Sequence, residues 1–262
     1  MTQNHEPLRV PVPGERLLVV GHRGSAGTAP ENTMASFTVA VEAGVDMVEL
    51  DVRMTKDFHF VVMHDRRVDR TTNGKGNVWE LTLQQMRFFD AGAWFSPRFQ
   101  GERVPTLREV MDMLPAHVGL NIEVKTDGDP RSALALEESL MLIVREGRMS
   151  GRILISSFDH RHLARLHRLD PELRLGALYY PVRDLSKTPS RIARTVGASA
   201  FICSRTQLRR KFVDDAHTHN LFIGVYGVNS LPHLMNVHGF GVDAVVTDFP
   251  EKMVRALRQR RG

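Results

Sequence analysis

The chain has 262 residues, of which 42% are hydrophobic and 25% charged, with 20 glycines and 13 prolines. This is the composition of an ordinary globular protein, and it excludes disordered, collagen-like and low-complexity classes. The 35 basic and 30 acidic residues give a net charge of +5, but the basic residues are scattered, which argues against a nucleic-acid-binding groove.

The elements predicted along the chain alternate between short β-branched runs and helical stretches. Predicted strands cover residues 17–20, 47–52, 118–124, 153–156, 175–179, 200–203, 222–225 and 244–246, and residues 59–63 are also strand-like. Predicted helices cover residues 30–43, 107–114, 132–145, 160–169, 210–219, 231–237 and 250–259. Thr28, Pro30 and Glu31 supply a start signal for the first helix.

Eight strand–helix units in about 250 residues favour a closed (β/α)8 barrel, the TIM barrel, over an open doubly wound sheet. No dinucleotide-binding or P-loop glycine motif is present in the sequence. We therefore predict one α/β domain over residues 1–262.

Residues 66 to about 105 break the alternation, and we interpret them as a small insertion after the second strand. Aromatic residues give the insertion apolar surface, among them Trp79, Phe88, Phe89, Trp94 and Phe95. It is too short for an independent core. Because it leaves the barrel beside His64, we expect it to cap the barrel mouth and limit what can enter.

Cellular location is predicted from the cysteine and from the apolar runs. The single cysteine, Cys203, cannot form an intrachain disulfide, which suits a reducing compartment. No apolar run approaches the roughly 18 residues that a membrane-spanning helix needs. The N-terminal residues lack the charged and then apolar order of a signal peptide. We predict a cytoplasmic protein without stable membrane insertion, and the sequence leaves its oligomeric state open.

Carboxylates are expected at the barrel mouth. Side chains alternate along a strand, so Glu49 and Asp51 share one face, and the same pattern turns Glu123 and Lys125 inward. Buried ion pairing is the alternative for any one carboxylate. Three like charges at one mouth, however, need a compensating cation, of which Arg23 and Lys125 could supply part. A carboxylate set favours Mg²⁺ or Ca²⁺ over zinc.

Two histidines fall at the same predicted mouth. His22 follows the first strand, and His64 follows the strand-like run at residues 59–63. Because imidazole titrates near neutral pH, this pair is the natural choice for acid–base catalysis. The other ten histidines, including His217, are interpreted as structural.

These residues belong to an ordered series of motifs that resembles the glycerophosphodiester phosphodiesterase family. The series is Gly21-His22-Arg23-Gly24, Pro30-Glu31-Asn32-Thr33, Glu49-Leu50-Asp51-Val52, His64-Asp65, Arg70-Thr71-Thr72, Val104-Pro105-Thr106-Leu107, Glu123-Val124-Lys125, Ser156-Ser157-Phe158, Gly241-Val242-Asp243 and Thr247-Asp248-Phe249-Pro250. The resemblance covers roughly residues 19–250.

The resemblance implies a TIM barrel that hydrolyses glycerophosphodiesters to glycerol 3-phosphate and an alcohol, with a divalent cation. By motif, the metal ligands would be Glu49, Asp51 and Glu123, and the acid–base pair would be His22 and His64. Arg23 and Lys125 would hold the phosphoryl oxygens. Glu31 has two interpretations, a helix-capping residue or a site carboxylate near the metal.

One motif departs from the family pattern. Where the family usually has W-T-x-N at the seventh barrel strand, this chain has Tyr226-Gly227-Val228-Asn229. Tyr226 can still form a wall of the substrate pocket, but the missing threonine leaves the substrate preference open.

Two alternative functions are considered. One is a lysophospholipase D-type reaction, in which the alcohol side of the diester is a lipid. The other is a catalytically silent barrel that binds phosphate esters. The presence of both histidines and all three carboxylates argues against the silent barrel.

Overall fold

The computed structural model describes residues 13–126, 133–147, 149 and 151–259. Its strands are β1 (Leu18–Gly21), β2 (Met47–Met54), β3 (Phe60–Val62), β4 (Gly119–Val124), β5 (Ile153–Ser157), β6 (Leu175–Leu178), β7 (Ala200–Ser204), β8 (Phe222–Tyr226) and β9 (Ala244–Thr247). Eight of them form a parallel sheet in the order β1-β9-β8-β7-β6-β5-β4-β2, and β2 pairs back with β1 to close it. The predicted (β/α)8 barrel is confirmed.

Most of the helices surround the barrel and cover its outer face. They are α1 (Met34–Ala43), α2 (Leu83–Phe88), α3 (Leu107–Met113), α4 (Ala133–Glu146), α5 (His160–Leu169), α6 (Pro181–Asp184), α7 (Pro189–Val196), α8 (Arg210–Thr218), α9 (Leu231–Gly239) and α10 (Pro250–Arg258). Residue 132, the predicted start of α4, lies outside the described residues. Within the part of the chain that the structure describes, no helix is long and apolar enough to cross a membrane. The cytoplasmic location stays a prediction.

Helix α1 begins later than the sequence suggested. Its N-cap is Thr33, whose hydroxyl accepts a hydrogen bond from the backbone N–H of Ser36. The predicted start near Thr28 and Pro30 is therefore wrong, and so is the capping interpretation of Glu31. The residues before Thr33 form a loop over the barrel mouth instead.

Two helices between β6 and β7 were missed by the sequence interpretation. Helix α7 nevertheless carries clear signals, since Thr188 caps its first turn, Pro189 is its first residue, and Gly197 ends it at a φ of 67°. A left-handed C-cap of this kind favours glycine. The short helix α6 has only Pro181 as a start signal.

Alternation along the strands divides the barrel into an outer and an inner side. Val48, Leu50 and Val52 of β2 are fully buried against the helices. The side chains between them point into the barrel, as predicted. In the lower half these inner side chains are apolar, including Val20, Ile202 and Val246. The carboxylates and the histidines lie toward the carboxyl ends of the strands, where the active sites of TIM barrels lie.

Strand β3 is not a barrel strand, because it pairs antiparallel with the far end of β2. It opens the insertion. A buried apolar cluster joins the insertion residues Val68, Val78, Met86, Ala91 and Val104 to Val61 and Met63 at β3. Because Val61 and Met63 lie outside the insertion, its short segments pack on an apolar surface that β3 and the residue after it provide.

A buried aspartate holds the lower end of the barrel together. Asp243, just before β9, accepts a hydrogen bond of 2.8 Å from the backbone N–H of Ile223. The Nε2 atom of His217 on α8 lies 3.1 Å from the same carboxylate. His217 therefore occupies a structural position at the end of the barrel opposite the mouth.

Candidate active site

Three carboxylates meet at the mouth of the barrel. Glu49 and Asp51 lie on β2, and Glu123 lies on β4 directly opposite Asp51. One oxygen of each lies within 4.8 Å of the others. Asp51 is only 1% exposed and Glu49 is also buried. The alternation predicted from the sequence brings these three side chains together.

Two cationic side chains contact this cluster. Lys125 Nζ lies 3.0 Å from Asp51 Oδ1 and also pairs with Glu123. Arg23 Nε lies 3.2 Å from Asp51 Oδ2. Because Asp51 lies between both cations, Lys125 and Arg23 hold its pKa below the usual range despite its burial.

The negative charge of Glu49 is less well compensated by neighbouring cationic side chains than that of Asp51. Burial, followed by the charge of Asp51 and that of Glu123, raises the pKa of Glu49 to about 7. Burial and the charge of Asp51 also raise the pKa of Glu123. Three closely spaced carboxylates and two cations leave an excess of negative charge, so one of the three tends to stay protonated.

This arrangement fits a divalent cation. Among the described residues, Glu49 Oε1 is buried without a hydrogen-bond partner, so one ligand oxygen is already desolvated and available. A set made only of carboxylate oxygens suits Mg²⁺ or Ca²⁺. Glu49, Asp51 and Glu123 are the residues that could hold such an ion.

The cation affinity is expected to fall below pH 7, by about tenfold per pH unit, because Glu49 must release its proton to become a ligand. The folded-state pKa of Glu49 is about 7, above its usual 4.5. Without a cation, the ionisation of Glu49 therefore lowers the free energy of unfolding as pH rises toward 7. A bound cation would offset this loss of stability. Titration calorimetry at about pH 6 and about pH 8 checks this, and equal affinities would contradict it.

His22 is oriented by Asp248 at the end of β9. The His22 Nδ1 atom lies 2.6 Å from Asp248 Oδ1, and its Nε2 atom lies 4.0 Å from Glu49 Oε2. Burial by itself lowers the pKa of His22, but the hydrogen bond to Asp248 and the charge of Glu49 outweigh it and raise the pKa. Asn229 donates to the same Asp248 carboxylate. Nε2 is therefore the ring nitrogen that faces the carboxylates.

His64 has a similar partner on its own segment. Its Nδ1 atom lies 2.6 Å from Asp65 Oδ1. Burial lowers the pKa of His64, and the charges of Lys125 and Arg23 add to this effect, against the opposing charge of Asp51. His64 reaches the mouth because β3 runs antiparallel to β2 and returns the chain to the level of Asp51, whose carbonyl oxygen accepts a hydrogen bond from the Met63 N–H.

The loops around α1 complete the mouth. Arg23 has a φ of 49°, an uncommon value for a side-chain-bearing residue that often marks a functional position. This conformation lets its backbone N–H donate to Glu49 Oε2 at 2.9 Å. Asn32 donates to Asp51 at 2.9 Å. Glu31 contacts two arginines: its Oε1 accepts at 2.7 Å from Arg23 and at 2.8 Å from Arg70.

An open cavity of about 1020 Å³ adjoins the carboxylates. Its wall comes from Arg53 on β2, from His64 after β3, and from residues at or just after the carboxyl ends of β4 to β8, among them Phe158, Tyr180 and Tyr226. No insertion residue between 66 and 105 contributes to the described wall. The insertion residues Thr71, Ala91 and Val104 lie instead beside Glu31 and His64, and the expectation that the insertion limits what enters stays a prediction.

Four further residues at the site were given no role from the sequence. They are Asn32, Asp65, Asn229 and Asp248. All four occur within motifs that the sequence resemblance contains, so their positions carried a signal. The partner of Asp248 could not be read from the sequence, because Asp248 is 226 positions from His22.

Comparisons with known proteins identify the family of the chain. The model of the glycerophosphoryl diester phosphodiesterase family matches residues 22–252. A glycerophosphodiester phosphodiesterase of Caldanaerobacter subterraneus subsp. tengcongensis is 35% identical over 249 residues, which cover 93% of this chain and 99% of the relative.

Two solved structures resemble this chain in both fold and sequence. A phosphodiesterase of Oleispira antarctica, solved with the product sn-glycerol-3-phosphate, is 27% identical with a TM-score of 0.85, over 92% of this chain and 96% of that one. A glycerophosphodiester phosphodiesterase of Agrobacterium tumefaciens is 30% identical with a TM-score of 0.79, over 91% and 99%. With a family match over most of its length, this chain belongs to the glycerophosphoryl diester phosphodiesterase family and is a phosphoric diester hydrolase.

Proposed function

We propose that this protein hydrolyses glycerophosphodiesters to sn-glycerol 3-phosphate and an alcohol, with Mg²⁺ or Ca²⁺ held by Glu49, Asp51 and Glu123. The observation that carries this proposal is the convergence of three carboxylates, two cationic side chains and two histidines at one barrel mouth. When bound, the cation supplies charge neutralisation and polarisation of the phosphoryl group.

Arg23 and Lys125 bind the phosphoryl oxygens in this proposal. A phosphodiester is an anion and resists attack by a nucleophile until its charge is compensated. The side chains of Arg23 and Lys125 are already oriented by the carboxylates, so little reorganisation is needed when charge develops on the phosphoryl oxygens.

His22 and His64 transfer the protons. In each, the carboxylate at Nδ1 favours the tautomer that exposes Nε2 to the site. One histidine accepts a proton from the nucleophile, which is either water or the neighbouring glycerol hydroxyl. Attack by the hydroxyl forms a cyclic phosphate, which water then opens to glycerol 3-phosphate. The other donates a proton to the leaving alkoxide.

A panel assay tests the proposal. Glycerol 3-phosphate release is measured from the choline, ethanolamine and glycerol diesters, each with Mg²⁺, with Ca²⁺ or after chelation. We expect release only with a cation. A folded protein that binds these diesters but hydrolyses none with either ion would instead support a silent phosphate-ester-binding barrel.

A lysophospholipid is the second candidate substrate, and exposed apolar side chains near the cavity favour it. Val182 is 84% exposed and Leu185 is 74% exposed, beside the cavity residue Tyr180. A lysophospholipid belongs in the same panel, where release of the head-group alcohol together with a lysophosphatidic acid would identify lysophospholipase D-type activity.

Tyr180→Ala is expected to change the ranking of alcohols by about tenfold in relative kcat/KM, if Tyr180 contacts the alcohol side of the substrate while Arg23 and Lys125 hold the phosphoryl group. The matched control is Phe88→Ala in the insertion, an aromatic side chain that is 73% exposed and outside the described cavity wall. It should leave the ranking unchanged. Relative kcat/KM across the panel is the measurement, and a larger effect of Phe88→Ala would place specificity in the insertion.

A further inference from the structure

A single guanidinium connects two parts of the candidate site. Arg70 Nε and Nη2 donate to the two oxygens of Asp65 at 2.7 and 3.1 Å. Its Nη1 and Nη2 donate to the two oxygens of Glu31 at 2.9 and 2.8 Å. All three nitrogens of Arg70 are therefore occupied by two bidentate carboxylate contacts, which fix geometry more strongly than single contacts do.

Each of these carboxylates has a second partner at the site. Asp65 Oδ1 lies 2.6 Å from Nδ1 of His64. Glu31 Oε1 accepts a 2.7 Å hydrogen bond from Arg23. Arg70 therefore lies at the centre of a continuous set of contacts from His64 to Arg23, although it contacts neither residue directly in these bonds.

The charges of this set are balanced only with Arg70 in place. The hydrogen bond from Arg70 holds the pKa of Asp65 below its usual range. Arg70 and Arg23 hold the pKa of Glu31 low against the effect of its burial. Without Arg70, Asp65 would keep only one described side-chain partner, His64, and its carboxylate could rotate.

We propose that Arg70 is a positioning residue that orients His64 through Asp65 and Arg23 through Glu31. This inference rests on the proposed function of His64 and Arg23. The alternative is that Arg70 only attaches the insertion to the loop before α1. If that alternative holds, a substitution of Arg70 lowers stability but not turnover. If Arg70 positions His64 and Arg23, the substitution lowers turnover.

The test compares Arg70→Gln with Arg70→Lys and with a matched control. We expect Arg70→Gln to lower kcat/KM by about 10–100-fold, the usual effect of losing an outer-shell partner. Arg70→Lys should keep more of the wild-type kcat/KM than Arg70→Gln but not all of it, because an ammonium cannot make two bidentate contacts. The control is Arg67→Gln, which removes an exposed arginine from a pair with Asp69 nearby and should leave kcat/KM unchanged.

A double-mutant cycle shows whether Arg70 acts through Asp65. Asp65→Asn and Arg70→Gln should each lower kcat, and the double variant should be little worse than the more affected single variant. If the two single losses of kcat multiply in the double variant, the proposal that Arg70 acts through Asp65 is overturned. Guanidinium added at millimolar concentration to Arg70→Ala should restore part of kcat, since the Arg70 side chain is 45% exposed, and the same concentration of ammonium should not.

Nitrogen NMR of the His64 ring gives a readout that does not need turnover. We expect Arg70→Gln to change the Nδ1 and Nε2 signals of His64, and Arg67→Gln to leave them unchanged. Unchanged His64 signals and unchanged kcat in Arg70→Gln would overturn the proposal. If wild-type protein proves inactive on every diester but the His64 signals still shift, the proposed function fails while the positioning role stands.

Discussion

Asp51→Asn is expected to abolish measurable turnover, by about 10³-fold or more, if the cation contributes the several kcal/mol typical of metal-assisted catalysis. Asp51 is the most buried of the three carboxylates and contacts Lys125, Arg23 and Asn32. The amide has nearly the same shape but neither the charge nor the second acceptor oxygen that the cation requires. Calorimetric titration with Mg²⁺ and with Ca²⁺, together with kcat, measures both effects.

Chelation should reproduce the loss in wild-type protein, and either ion should reverse it. The cation should also raise the melting temperature, because it binds only the folded state. The control is Asp46→Asn at the opposite end of β2, where the carboxylate pairs with Arg16. That variant should lose stability and keep its affinity for the cation. Full activity of a metal-free preparation would refute the metal role.

His22→Ala and His64→Ala are each expected to lower kcat by about 10²–10⁴-fold, the range for a lost general acid or base. Both variants should fold, because each side chain is about one-third exposed and neither belongs to the apolar core. Steady-state kinetics with saturating cation separates this loss from a change in metal binding, which matters for His22 because it lies beside Glu49.

His217→Ala is the control for the histidine variants. It should keep kcat, because His217 lies at the other end of the barrel. It should lower the free energy of unfolding by about 1–2 kcal/mol through the lost hydrogen bond to the buried Asp243. A loss of kcat in this variant equal to that in His22→Ala would place the reaction elsewhere in the molecule.

Local patterns were sufficient to predict the barrel and the direction of its key side chains. Strand alternation turns Glu49 and Asp51 inward because Val48, Leu50 and Val52 have to pack under the helices. Period-two geometry is a property of neighbouring residues, so it can be read directly from the chain. The predicted start of α1 was wrong because Thr28, Pro30 and Glu31 match the residue pattern of a helix start, whereas the residue that caps the helix is Thr33.

By itself, the sequence determined the fold class, the family and the residue types available for phosphodiester chemistry. Only the tertiary structure decided which groups contact one another: Asp248 beside His22, and Arg70 between Glu31 and Asp65. It also decided that insertion residues lie beside Glu31 and His64, whereas the described cavity wall comes from β2, from His64 and from later barrel segments. The physical reason is that these contacts join residues far apart in the chain, and their distances depend on how the barrel closes and where each loop packs.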